Sequence, residues 1–95
     1  MKWVMFRVHG KVQHVFFRRD TKLLADSLGL FGHVKNESDG SVSGKVGGHD
    51  NLVDQFLEVI KTGVNDKAKV HSFETTEITQ EYDTPSNIKT FEILK

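Results

Sequence analysis

An Asp39-Gly40 pair sits between two short extended runs, residues 31–36 and 41–46, near the middle of the chain. Asp and Gly tolerate the positive φ of tight hairpin turns, so the pair predicts two strands paired locally and antiparallel. What flanks this hairpin narrows the fold further. Upstream, Phe17, Thr21, Leu24 and Leu28 recur at spacings of four and three, with Leu23 beside them. That is a helical stripe. It predicts a helix over residues 18–28, with Gly29 at the position where a left-handed residue ends it. Downstream, Gly47 and Gly48 break the second hairpin strand and Asp50 is a candidate N-cap. Leu52, Phe56 and Ile60, with Val53, Leu57 and Val59 beside them, then form a second amphipathic helix that stops before Gly63.

The outer segments read as strands. Val4, Phe6, Val8, Gly10 and Val12 alternate with Trp3, Met5, Arg7, His9 and Lys11, which predicts a strand with its even-numbered side toward the core. Trp3 and Met5 make the opposite side less polar than usual. Residues 68–79 are rich in β-branched and aromatic side chains, and the step of three from Val70 to Phe73 marks a bulge. Residues 89–94 give a last short strand, with Phe91 and Ile93 on one side. This order predicts an α+β fold of the ferredoxin-like, split βαβ kind: βαββαβ plus a short C-terminal strand, an antiparallel sheet with two helices on one face.

Composition fits one small domain over residues 1–95, with no repeat, linker or low-complexity tract. The 37% hydrophobic and 27% charged fractions suit a globular chain and argue against a disordered one. Lys plus Arg number 13 and Asp plus Glu 13, for a net charge of zero. That weighs against nucleic-acid binding, which wants a basic face. The absence of Cys removes disulfides, thiolate metal sites and cysteine nucleophiles together. It also favours a reducing compartment. No apolar run approaches the ~20 residues of a membrane span. Arg7 and His9 interrupt the N-terminal segment too early for a signal peptide. A cytoplasmic chain that touches no membrane is expected.

The chemistry concentrates in Gln13-His14-Val15-Phe16-Phe17-Arg18, a short connection that ends at a helix start. A helix N-terminus offers unpaired N–H groups and the positive end of the macrodipole, and a loop wrapped there makes an anion cradle. The Arg18 guanidinium could hold two phosphate oxygens at once. An ordinary solvated arginine in the first helical turn is the competing reading.

Gly10-Lys11-Val12-Gln13-His14-Val15-Phe16-Phe17-Arg18, followed by Gly32-His33-Val34-Lys35-Asn36, resembles the acylphosphatase family. Its pattern is G-x-V-Q-G-V-x-F-R, then G-x-V-x-N before an Asp-Gly hairpin. The similarity runs through Ser38-Asp39-Gly40-Ser41-Val42 and reaches Phe91-Glu92-Ile93, so it spans nearly the whole chain. The resemblance implies hydrolysis of a carboxylic–phosphoric mixed anhydride to carboxylate and inorganic phosphate. It implies that Arg18 binds the phosphate, that Asn36 orients water, and that the backbone N–H groups of Gln13, His14, Val15, Phe16, Phe17 and Arg18 form the cradle. It implies no metal, no cofactor and no phosphoenzyme. The expected partners are a small-molecule acyl phosphate and inorganic phosphate as product and competitive inhibitor. A monomer is the simplest state. An acyl phosphate already carries a good leaving group, so the remaining work is charge neutralisation and placement of water.

The chain departs from the family pattern at His14, which stands where that pattern has Gly. Three consequences stay open: modest strain at a positive φ, a ring that narrows the pocket, or a protonated imidazole beside the phosphate. The departure also leaves an alternative function, a non-catalytic phosphate- or partner-binding domain on the same fold with the cradle altered by His14. Phe16, Phe17 and Phe31 read as packing residues, His33 as surface packing, and His9 as lying opposite the core. Asn36-Glu37-Ser38 matches a glycosylation acceptor, read here as coincidence for a cytosolic chain.

Overall fold

The computed structural model describes residues 1–78 and 90–94. Strand β1 (Lys2–Lys11) leads to helix α1 (Phe17–Ser27), then to β2 (Phe31–Asn36) and β3 (Val42–Gly48). Helix α2 (Asp50–Thr62), β4 (Lys69–Ile78) and β5 (Phe91–Leu94) follow. The strands form one five-stranded sheet in the order β4-β1-β3-β2-β5. Thr79, Pro85 and Lys89, which the sequence placed in or near the last two strands, lie outside the described residues.

The alternation in β1 becomes a two-sided strand. Val4, Phe6 and Val8 are buried, while Met5 and Arg7 are exposed. α2 contributes Val53, Phe56 and Ile60 to the same core, and α1 contributes Phe17, Thr21 and Ala25. Phe56 stands between Phe6, at 5.7 Å between ring centroids, and Phe91, at 5.9 Å. One aromatic from α2 therefore joins the first strand to the last, in tilted and edge-on geometries that aromatic quadrupoles favour. Leu23, beside the stripe in sequence, is 58% exposed.

The ends of α1 follow their local chemistry. Leu30 N–H donates to the Ala25 carbonyl at 2.9 Å and Gly29 N–H to that of Asp26 at 3.1 Å. This is a Schellman closure, and Gly29, at φ 68, supplies its left-handed residue. At α2 the expectation is corrected by one position: His49 is the N-cap and Asp50 the first helical residue. There the carboxylate favours the positive end of the helix dipole without making a side-chain cap.

Two further expectations are corrected by tertiary pairing. Gly47 and Gly48 do not break β3: they pair with Trp3 and Lys2 of β1 and extend the strand. A Cβ at Gly47 would collide with the Trp3 ring, so the glycine leaves the space the indole occupies against β3. The sheet is also mixed, not antiparallel throughout, because β5 pairs parallel to β2. β4 ends with Ile78 beside Trp3, and β5 begins with Phe91 beside Gly32, at the same end of the sheet. A strand that starts there must run alongside β2 in β2's own direction. The bulge read from Val70 to Phe73 is present: the register between β1 and β4 shifts at His9/Gly10, leaving His71 as the extra residue.

Candidate active site

The loop between β1 and α1 is anchored by apolar side chains at intervals. Val12, Val15 and Phe17 are 1%, 6% and 1% exposed, so each is held in the core. The residues between them carry the turns. His14 and Phe16 both have φ 61, and they flank Val15, which does not have positive φ. Alternation in the sign of φ along a short loop turns successive N–H groups toward one concavity of anion size. The loop runs directly into α1, whose N-cap is Phe16 and makes no side-chain cap. The first hydrogen bond of the helix is donated by Asp20 N–H to the Phe16 carbonyl at 3.0 Å. The N–H groups of residues 17–19 precede it at the positive end of the dipole.

Two side chains brace this loop from opposite sides. Gln13 Nε2 donates to the carbonyls of Glu37, at 2.7 Å, and Ser41, at 2.9 Å, in the turn between β2 and β3. Asn65 Nδ2 donates to the Val15 carbonyl at 2.9 Å and to Asp20 Oδ2 at 2.7 Å. Asn65 Oδ1 accepts from the backbone of Lys67 and Ala68, which fixes the amide's own orientation.

Arg18 and Asn36 are brought together by β5. Arg18 Nη1 donates to the Leu94 carbonyl at 2.9 Å, and one turn later Lys22 Nζ donates to the Phe91 carbonyl at 2.9 Å. These two side chains satisfy carbonyls of an edge strand that would otherwise be open to pairing. Leu94 lies opposite Lys35, so the guanidinium is held next to the end of β2, where Asn36 is the last residue. Arg18 and Asn36 accordingly line one cleft of about 350 Å³ with Val12, His14, Phe16, Phe17, Arg19 and Ile93. Asn36 Oδ1 is buried and has no hydrogen-bond partner among the described residues. Gly32, the first residue of the second motif, has φ 132, and a Cβ there would overlap the Lys45 carbonyl.

The sequence expectations divide on this geometry. The structure brings Arg18, Asn36, His14, Phe16 and Phe17 to one cleft, with Gln13 and Val15 in the loop that forms its wall. The Gln13 side chain turns away to the hairpin and the Val15 side chain into the core. Phe16 is corrected as a packing residue. It is 51% exposed, with the Arg19 guanidinium 4.4 Å and the Lys67 ammonium 4.9 Å from its ring centroid. Cations over an aromatic face are held by the ring quadrupole. Asn65 and the Leu94 carbonyl were not singled out in the sequence, and Ile93 was read there as a strand residue and not as part of a site. A backbone carbonyl carries no residue signal, and Asn65 acts across a 50-residue separation.

His9 lies opposite the core, as its place in the alternation implied, 3.0 Å from Glu74 Oε1. Burial holds His33 below the ordinary imidazole range, and the charges of Lys45 and Lys35 push it the same way. Among the described residues, His, Asp and Glu form no group of three or more that could hold a metal ion. Among the same residues, no helix is long and apolar enough to cross a membrane.

A sheet with this strand order, two helices on one face and a cleft lined by Arg18 at a helix start define an α+β protein of the ferredoxin-like fold. Comparison with known proteins makes the class specific. A family model described as Acylphosphatase matches residues 4–93. The chain is 42% identical over 78 residues to an acylphosphatase of Ligilactobacillus salivarius (strain UCC118), covering 82% of this chain and 87% of that protein. It is 41% identical over 71 residues to an acylphosphatase of Pediococcus pentosaceus (strain ATCC 25745 / CCUG 21536 / LMG 10740 / 183-1w), covering 75% and 79%. The crystal structure of acylphosphatase from Bacillus subtilis superposes with a TM-score of 0.89 at 32% identity, covering 100% of both chains. The chain belongs to the acylphosphatase family, a family of hydrolases whose reaction is acyl phosphate hydrolysis.

Proposed function

We propose that this chain hydrolyses acyl phosphates to a carboxylate and inorganic phosphate, with Arg18 and the amides of residues 13–18 holding the phosphoryl group and Asn36 orienting the attacking water. The observation that carries this reading is the convergence of Arg18 and Asn36, from separate elements, on one cleft beside a loop of alternating φ. One N–H of the Arg18 fork is committed to Leu94. That contact sets the plane of the guanidinium, and the rest of the fork remains for phosphoryl oxygens. With the loop amides and the helix dipole it forms fixed positive electrostatics around the group being transferred.

Asn36 supplies the second part. An unpaired buried acceptor costs about 1–3 kcal/mol. Its amide gains by turning Oδ1 toward the cleft, where a water can donate to it. The water oxygen then bonds to phosphorus as the bond from phosphorus to the acyl oxygen breaks. The electron pair of that bond leaves on the carboxylate, and the water's proton passes to a phosphoryl oxygen. No protein group has to ionise, and the reaction needs no metal. We take the unit to be a single monomeric domain working in the cytoplasm, with inorganic phosphate as its competitive product inhibitor.

The test is phosphate release from a synthetic acyl phosphate in the presence of a chelator, with the wild type, Arg18→Ala and Asn36→Ala. The wild type turns over. Arg18→Ala loses about 10²–10³-fold in rate and is inhibited less by phosphate, and Arg18→Lys rescues poorly because an ammonium lacks the fork. Asn36→Ala loses kcat while phosphate still binds and the far-UV spectrum is unchanged. Phosphate binding without turnover in the wild type, or wild-type kcat in either alanine variant, overturns the reading.

A further inference from the structure

The Gln13 backbone belongs to the cradle loop, but its side chain leaves that loop and crosses to the hairpin that carries Asn36. The two carbonyls it reaches straddle the turn. Glu37 directly follows Asn36, and Ser41 precedes Val42, the residue paired with Asn36 on β3. The turn itself does not depend on these bonds. Glu37 N–H donates to the Ser41 carbonyl at 2.8 Å, and Gly40 N–H to the Glu37 carbonyl at 3.2 Å. Asp39 Oδ1 accepts from Ser41 N–H at 2.9 Å and from Ser41 Oγ at 2.6 Å. Each carbonyl that Gln13 touches thus already has a backbone donor. What Gln13 adds is a fixed separation between the loop and the end of β2.

We infer that Gln13 is a positioning residue, whose side-chain amide sets the place of Asn36 relative to the phosphoryl group held by the loop. The inference rests on the roles assigned above to Arg18 and Asn36. In-line attack is sensitive to geometry, and a displacement of about 1 Å can lower a rate by about 10²-fold. Asn65 braces the same loop from the far side, on Val15, and makes no contact with the hairpin in its hydrogen bonds. Cradle shape and Asn36 placement therefore have separate supports.

The experiment is a double-mutant cycle between Gln13→Met and Asn36→Ala, read as kcat and as the inhibition constant for inorganic phosphate. Met keeps the length of Gln and removes both donated hydrogen bonds. Gln13→Met should lower kcat by about 10–100-fold and leave phosphate inhibition within about twofold of wild type. In the Asn36→Ala background the same change should lower kcat by less than about twofold, because the group it positions is already gone. Full multiplication of the two losses, an unchanged kcat in Gln13→Met, or phosphate affinity falling in step with kcat overturns the inference. Failure of the underlying reading shows separately, as wild-type kcat in Asn36→Ala alone. If Gln13→Met does not melt cooperatively, Gln13→Asn, which keeps the donor and shortens its reach, carries the same cycle.

Discussion

Replacing His14 by Gly tests how much strain the phosphate loop stores. His14 has φ 61, the left-handed region. An L-residue there costs about 1–2 kcal/mol, and His, enriched in that region, belongs near the low end. The side chain is exposed on the lining of the cleft and is not part of the buried core. Gly removes the strain but adds about 0.4–1 kcal/mol of chain entropy to the unfolded state. The difference is a net stabilisation of about 0–0.6 kcal/mol, which raises Tm by up to about 2–5 °C in a chain of this size. The loop keeps its course, because Val12, Val15 and Phe17 stay anchored in the core. His14→Gly should therefore hydrolyse acyl phosphate at least as fast as wild type at pH 7. The assays are a thermal melt and the pH dependence of kcat/KM for both proteins between pH 5 and 8, where the two profiles should run parallel. A fall in Tm refutes the strain argument. A wild-type kcat/KM that rises on acidification, with the rise missing in His14→Gly, makes the imidazole a contributor to phosphate binding instead.

Two further outcomes follow from the side chains around the site. Asn65→Ala removes the brace on Val15 and Asp20, so it should cost about 1–3 kcal/mol of stability and weaken phosphate inhibition more than it lowers kcat; unchanged inhibition would separate Asn65 from the cradle. His33 is held below the ordinary imidazole range, by burial first and then by Lys45 and Lys35, so the unfolded chain takes up its proton at a higher pH than the folded one. Stability from this group is complete above about pH 6.5 and is lost as pH falls below that toward the folded value. His33→Gln should flatten the fall in Tm between pH 7.5 and 5.5, and an equally steep fall in the variant refutes the assignment.

Periodicity by itself determined the elements of this protein. Val4, Phe6 and Val8 alternate, Phe17 and Thr21 recur at helical spacing, and Asp39-Gly40 turns a hairpin because each of these is a local property of a few adjacent residues. Arg18 and Asn36, which line one cleft, were legible as candidate site residues as well, since both stand in short motifs whose resemblance to a known family needs no coordinates. Only the tertiary structure decided where segments distant in sequence meet. β5 lies parallel to β2 because its start falls at the same end of the sheet as the end of β4. Gly47 and Gly48, strand breakers by local propensity, stay in β3 because β1 and β2 pair along its two sides and Trp3 occupies the space a Cβ would fill. Arg18 stands beside Asn36 because a carbonyl of β5 holds it, and a carbonyl is common to every residue. The Gln13 and Asn65 braces span 24 to 50 residues of chain. Spacing along a sequence reports what one helix or strand places on one face, whereas such long-range hydrogen bonds depend on how separate elements pack.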